Sequence, residues 1–178
     1  NSGAGKTSII NAGISFELIQ NGQLPIYARA YRDPVNSIKQ AICSHMLGPW
    51  PDILDDLGLQ EFLGLVCAHL SRKTKEIIII FDQFEEYYIF WPDKNYREPF
   101  LQEVSSCYFD EMLPLRFLIS IRKDYYSDLA DFRPFIPSVF YNEYRLDAMT
   151  HAEARTAITE PLNKTNRKIE YQEALVEA

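Results

Sequence analysis

Ile77-Ile78-Ile79-Ile80-Phe81-Asp82 is the stretch on which the fold turns. Five successive apolar residues leave no side for water. A half-exposed strand alternates apolar with polar residues, whereas a strand covered on both faces is apolar throughout. The run therefore predicts the central strand of a parallel sheet. The same strand ends in a carboxylate. In open α/β folds ligands bind at the carboxyl ends of the strands, so Asp82 is delivered to the edge where chemistry is done.

Working outward, helical periods alternate with short apolar runs. Upstream, Ile10, Ile14 and Leu18 give a helix with one packing face, stopped at Asn21-Gly22. A strand is expected over Pro25 to Tyr31, then helices from Val35 to about Leu47 and from Gln60 to Ser71. Gly48-Pro49-Trp50-Pro51 separates those helices. Downstream come a helix from Glu98 to Met112, a strand from Leu115 to Ile121 and another from Val139 to Leu146. Thr150 with Glu153 three residues on fits a capping box opening a last helix. Such alternation predicts a three-layer α/β/α arrangement around a parallel sheet. Residues 1–147 read as the core, and 148–178 as the start of a helical lid domain.

The start of the chain carries the second half of the chemistry. Gly5-Lys6-Thr7 match the last three positions of the phosphate-binding pattern G-x-x-x-x-G-K-[ST]. Asn1 to Ala4 fill the four free positions. The first glycine would precede Asn1, so the sequence is expected to begin inside the loop and to lack the strand leading into it. Small residues let successive backbone N–H groups converge on phosphate oxygens, and a following helix adds its positive end. The candidate phosphate-binding residues are Ser2, Gly3, Ala4, Gly5, Lys6, Thr7 and Ser8. Lys6 would neutralise charge on the β- and γ-phosphates of a bound nucleotide. The Thr7 hydroxyl and Asp82 would hold Mg²⁺.

Gln83-Phe84-Glu85-Glu86 place two further carboxylates within one turn of Asp82. Either could polarise an attacking water as general base; Glu86 is favoured, with Glu85 close behind. Leu118-Ile119-Ser120-Ile121-Arg122 repeats the design, an apolar strand ending in a polar group at the same edge. Arg122 suits contact with a γ-phosphate, because guanidinium binds phosphate oxygens in a forked geometry. Arg29 and Arg32 are weaker candidates of the same kind. The aromatic run Tyr87-Tyr88-Ile89-Phe90-Trp91 reads first as core and second as an oligomer or lid surface.

Composition narrows the partners. Lys plus Arg is 18 and Asp plus Glu is 25 among 178 residues, a formal charge of −7. That argues against a broad nucleic-acid surface, which needs a basic face. Cys43, Cys67 and Cys107 are scattered and predict reduced thiols in a cytoplasmic protein rather than a disulfide frame or zinc site. No apolar run approaches the roughly 20 residues that span a bilayer.

With these motifs in hand, the sequence resembles the STAND class of P-loop NTPases, signal-transduction ATPases related to NACHT and AAA-like ATPases. SGAGKTSIINAGI resembles the Walker A of the bacterial, WD-repeat-linked branch of that class. IIIIFDQFEEYY resembles its Walker B, and LISIRKDYYSDL its sensor strand; AMTHAEARTAITEPL also matches. The likeness runs from Asn1 to about Pro161. It implies ATP bound in a nucleotide-dependent switch, self-association through the NTPase domain, and downstream repeat or effector domains. It implies roles for Lys6, Thr7, Asp82, Glu86 and Arg122 as given above. Lys123 departs from the small residue usual in the branch, and no Gly-x-Pro lid element is recognisable. Two other functions compete: a small-molecule P-loop kinase and an AAA-like ATPase acting on DNA. The first lacks a recognisable basic lid and acceptor site, and the acidic charge disfavours the second.

Overall fold

Glu76–Phe81 (β2) runs through the middle of a three-stranded parallel sheet, with Gln23–Ala28 (β1) on one side and Leu115–Ile119 (β3) on the other. The computed structural model describes residues 5–45, 56–70, 73–147 and 150–164, with the backbone alone at 158 and 161–164. Ala28 lies opposite Phe81, and Phe81 opposite Ile119. The next residues, Arg29, Asp82 and Ser120, therefore leave the sheet together at its carboxyl edge.

The unbroken apolar run of β2 has a direct cause. Ile77, Ile79 and Phe81 belong to a large core with Ile26, Ile38, Phe62, Phe84 and Phe100. Ile78 and Ile80 belong to a smaller cluster on the opposite face, with Ile10 and the half-buried Ile14, Leu18 and Leu118. Alternate side chains point to opposite faces of a strand, so both sets must be apolar. Helices Pro34–His45 (α3), Leu59–His69 (α4) and Lys94–Phe109 (α6) contribute to the larger core.

The smaller cluster is covered by one helix of three parts: Lys6–Ile9 (α1), a π-helical segment Ile10–Ile14, and Ser15–Gln20 (α2). Steps of four residues overshoot an α turn of about 3.6 residues. The wider π turn, with its i→i+5 bonds, undershoots by a similar angle. One π segment thus keeps Ile10, Ile14 and Leu18 on a single stripe. Gly22, in the left-handed region at φ 78°, ends the helix and turns the chain into β1.

Several expected boundaries move. The helix expected from Glu98 begins at Lys94, because Asp93 caps it by accepting from the Asn95 N–H at 3.0 Å. Pro99 lies inside that helix rather than at its start. It ends at Phe109, where Asp110 accepts from the Met112 N–H at 2.9 Å. The helix from Val35 begins one residue earlier, at Pro34, with Asp33 accepting from Asn36 N–H at 3.0 Å. The expected Gly48-Pro49-Trp50-Pro51 break lies outside the described residues.

The strand expected over Val139 to Leu146 does not form; turns and irregular backbone occupy it. Val139 and Phe140 pack against the large core instead, with Phe140 beneath the Arg133 guanidinium at 4.8 Å. Alternation here reflects packing on a loop rather than a pleat. Two elements have no counterpart in the sequence reading: the short helix Glu85–Phe90 (α5) and a 3₁₀ helix over Lys123–Phe132.

A second compact unit begins at Tyr144 and contains His151–Lys164 (α7). The expected capping box is formed. The Glu153 carboxylate accepts from the Thr150 N–H and hydroxyl, both at 2.8 Å, and Glu153 N–H donates back to Thr150 Oγ1 at 3.3 Å. No helix among the described residues is long and apolar enough to cross a membrane. All three cysteines are free thiols. Burial pushes the Cys107 thiol up to about 12, with the Glu103 and Asp110 carboxylates adding to the effect.

Candidate functional site

Gly5 opens α1 with φ 76°, a left-handed conformation that a side chain resists. A Cβ there would meet nothing within 4 Å, so the demand for glycine comes from the dihedral and not from crowding. No side chain among the described residues caps this helix start, and its second residue, Thr7, reaches Asp82 at the carboxyl edge of the sheet. Lys6 is half-buried, and Thr7 and Ser8 are exposed. Ile10, anchored in the smaller cluster, holds the helix against the sheet.

Thr7 and Asp82 lie 75 positions apart in sequence, yet the Thr7 hydroxyl donates to Asp82 Oδ2 at 2.5 Å. The other carboxylate oxygen, Oδ1, is buried and has no hydrogen-bond partner among the described residues. A hydroxyl and a carboxylate converging in this way form a hard-oxygen pair of the kind Mg²⁺ takes. The orphaned Oδ1 leaves ligating capacity unspent. Among the described residues no group of three or more His, Cys, Asp or Glu side chains forms a metal cluster. This pair fits a cation that completes its shell with water and phosphate rather than with protein.

The turn after Asp82 is tightly tied to the end of β3. Gln83 sits at φ 57°, the one described non-glycine residue with positive φ. Ser120 N–H donates to Phe81 O at 2.8 Å, and Phe84 N–H donates to Ser120 O at 2.9 Å. Glu85 is buried at 8% exposure, and its Oε2 accepts from Arg122 N–H at 3.1 Å. Glu86 is half-buried in the first turn of α5. The two carboxylates that the sequence leaves as rivals thus occupy different surroundings. One is committed to a backbone amide. The other has no such bond among the described residues.

Arg122 sits just beyond β3. Its Nη2 donates to Asp124 Oδ2 at 2.7 Å, and its guanidinium lies 5.9 Å from the Tyr125 ring centre. The hydrogen bond from Arg122 holds the Asp124 carboxyl below its usual range. Arg122 Nε is buried without a partner among the described residues.

Ser2, Gly3 and Ala4 lie outside the described residues. Arg29 is exposed and uses its backbone N–H to bond Ser37 Oγ at 3.2 Å. Arg32 stacks over Phe90 at 5.7 Å. In the aromatic run, Tyr87 and Tyr88 are buried, Ile89 is exposed, and Phe90 meets Tyr31 at 4.8 Å. The first reading of that run, as core, holds for its two tyrosines. Ser120 is a site residue the sequence reading passed over. It is buried, its hydroxyl has no partner among the described residues, and its backbone splices β3 to the Asp82 turn. The signal was present, a lone polar residue inside the apolar run Leu118-Ile119-Ser120-Ile121.

A parallel sheet flanked by helices, with Thr7 and Asp82 meeting at its carboxyl edge, is consistent with a P-loop-like α/β fold. The chain belongs to the Novel STAND NTPase 1 family, whose profile matches residues 1–178. No curated protein and no solved structure matches it. Family membership agrees with the resemblance drawn from the Walker-like stretches and marks the chain as a nucleotide-binding STAND module.

Proposed function

We propose that this protein is the ATP-binding, slowly hydrolysing switch module of a larger multidomain signalling or defence protein, and that nucleotide state controls its self-association. The observation that carries the reading is the Thr7–Asp82 bond at 2.5 Å beside an Asp82 Oδ1 that has no partner among the described residues. In this reading Lys6 and the backbone after Gly5 bind the phosphates. Thr7 and Asp82 hold Mg²⁺, which when bound neutralises charge developing on the β- and γ-oxygens. Glu86 takes the proton of the attacking water, and Arg122 exchanges Asp124 for the γ-phosphate. Helix α7 begins the lid.

The test is Lys6→Ala in the protein, with Mg-ATP affinity by calorimetry and particle size with and without ATP. Charge-assisted hydrogen bonds contribute about 1.5–3 kcal/mol, so affinity should fall roughly tenfold to a hundredfold. The ATP-dependent change in size should vanish. Wild-type protein that binds no Mg-ATP, or a variant that assembles with ATP as wild type does, would sink the reading. Phosphate release without any acceptor separates the switch from a kinase. Strong salt-dependent DNA binding would favour the DNA-acting alternative.

A further inference from the structure

We propose that Glu85 is a positioning residue for Arg122, acting as a buried acceptor that fixes the backbone turn from which the guanidinium is presented. The inference rests on the nucleotide reading above and deepens it. Three contacts splice the Asp82 turn to the end of β3: Ser120 N–H to Phe81 O, Phe84 N–H to Ser120 O, and Arg122 N–H to Glu85 Oε2. The first two are backbone pairs that almost any sequence can make. The third is the only one of these that depends on a side chain, and it falls on the backbone of Arg122 itself.

The chemistry suits that role better than a base. A general base needs a free lone pair facing water. Glu85 is 8% exposed, with one oxygen accepting a peptide N–H at 3.1 Å. A carboxylate acceptor makes a stronger bond to an amide than a neutral oxygen does. Arg122 is also held from its far end, since its Nη2 bonds Asp124 Oδ2. Backbone and head group are therefore restrained separately. A phosphate can take the guanidinium from Asp124 only while Glu85 keeps the backbone in place. Asp82 and Glu85 belong to the same turn, so a shift at the cation site is passed to the end of β3 through these three contacts, and the Glu85 bond is the one of them that reaches Arg122 itself.

Glu85→Gln and Glu85→Ala separate the roles, with two readouts. The first is hydrogen exchange at the Arg122 amide in nucleotide-free protein. Alanine should speed it roughly tenfold to a hundredfold, the loss of one charge-assisted bond. Glutamine retains a neutral, weaker acceptor oxygen and should speed exchange less than alanine does, by no more than about tenfold. The second readout is kcat against KM for ATP hydrolysis. Glutamine should keep kcat within about threefold, whereas alanine should lower it at least about tenfold. Arg122→Ala added to Glu85→Ala should cost little more, as expected for residues acting as one unit. A kcat as low for glutamine as for alanine, with the Arg122 amide protected in both, would make Glu85 the base and overturn the proposal. Arg122 exchange unmoved by alanine would overturn it too. Wild-type protein that binds no Mg-ATP while its Arg122 amide still responds to alanine would instead overturn the nucleotide reading, and the sensor role with it.

Discussion

Helix α1 and helix α7 begin in opposite ways. At α7 the start is closed: Thr150 and Glu153 bond each other's backbone reciprocally. Asp93 closes α6 and Asp33 closes α3. Helix α4, starting after a glycine, borrows Glu103 from α6, which accepts from Leu59 N–H at 3.0 Å. Helix α1 starts on Gly5 with no side-chain acceptor among the described residues. A helix start leaves up to four N–H donors without partners inside the helix. Helices α3, α4, α6 and α7 are each given a side-chain acceptor, whereas the short α5 and the 3₁₀ helix start from backbone pairs such as Glu86 N–H to Gln83 O at 3.0 Å and Tyr125 N–H to Arg122 O at 3.0 Å. Helix α1, whose Thr7 meets Asp82, has no side-chain acceptor at its start among the described residues. On the nucleotide reading proposed above, the starts with a side-chain acceptor serve stability and the start of α1 serves the phosphates.

The sharpest way to break that distinction is to close α1. Gly5→Asp puts an acceptor at the open start, and aspartate tolerates positive φ better than most residues. Its carboxylate would compete with phosphate for the same donors. Like-charge juxtaposition costs several kcal/mol, so Mg-ATP affinity should fall by about a hundredfold or more. Calorimetry measures the loss, and urea unfolding checks that the fold survives. Undiminished binding would mean that the start of α1 is not where the nucleotide docks.

Opening a closed start should act on stability and not on the nucleotide. Glu103→Ala strands the Leu59 N–H at a half-buried junction of α4 and α6. An unsatisfied buried donor costs about 1–3 kcal/mol. The urea midpoint should drop accordingly, with Mg-ATP affinity unchanged, and Glu103→Gln should recover most of the loss. Asp93→Ala removes a conventional cap and should cost about 1 kcal/mol by the same measurement. A fall in nucleotide affinity in either variant would blur the division between the two kinds of start.

How far these features could be read beforehand followed their range along the chain. Asp82 and the sheet's centre were legible because β2 must be apolar on both faces, and five isoleucine or phenylalanine residues in a row say so. The capping box at Thr150 was legible because both partners lie within four residues. The Glu103 cap of α4 was not, since its partners stand 44 positions apart. The difference in surroundings between Glu85 and Glu86 was invisible for the same reason: it depends on Arg122, 37 residues on. Val139 to Leu146 misled because apolar residues on a loop against a core imitate alternation. The 3₁₀ helix at Lys123–Phe132 carries Leu129 and Phe132 into the core within a polar run, too short a period to read as either regular element.

The smallest effect tests the closed start at its most local. Hydrogen bonds from the Thr150 backbone and hydroxyl hold the Glu153 carboxyl below its ordinary value of 4.5. A carboxyl whose folded pKa is depressed adds stability above its unfolded pKa, and that stability is lost as pH falls through the folded value. Helix α7 should therefore stay protected from hydrogen exchange at neutral pH. Its first turn should fray as the solution is acidified below the ordinary glutamate range. Thr150→Ala removes the hydroxyl donor but keeps the backbone N–H, so it raises the Glu153 pKa part of the way toward its ordinary value and moves the fraying upward in pH. Because Glu153 is exposed, the loss should be confined to the first turn of α7, leaving protection in β1, β2 and β3 unchanged over the same range. Acid fraying of α7 that tracks loss of the sheet would show that the two compact units unfold together, and that the box at Thr150 does not govern its own helix.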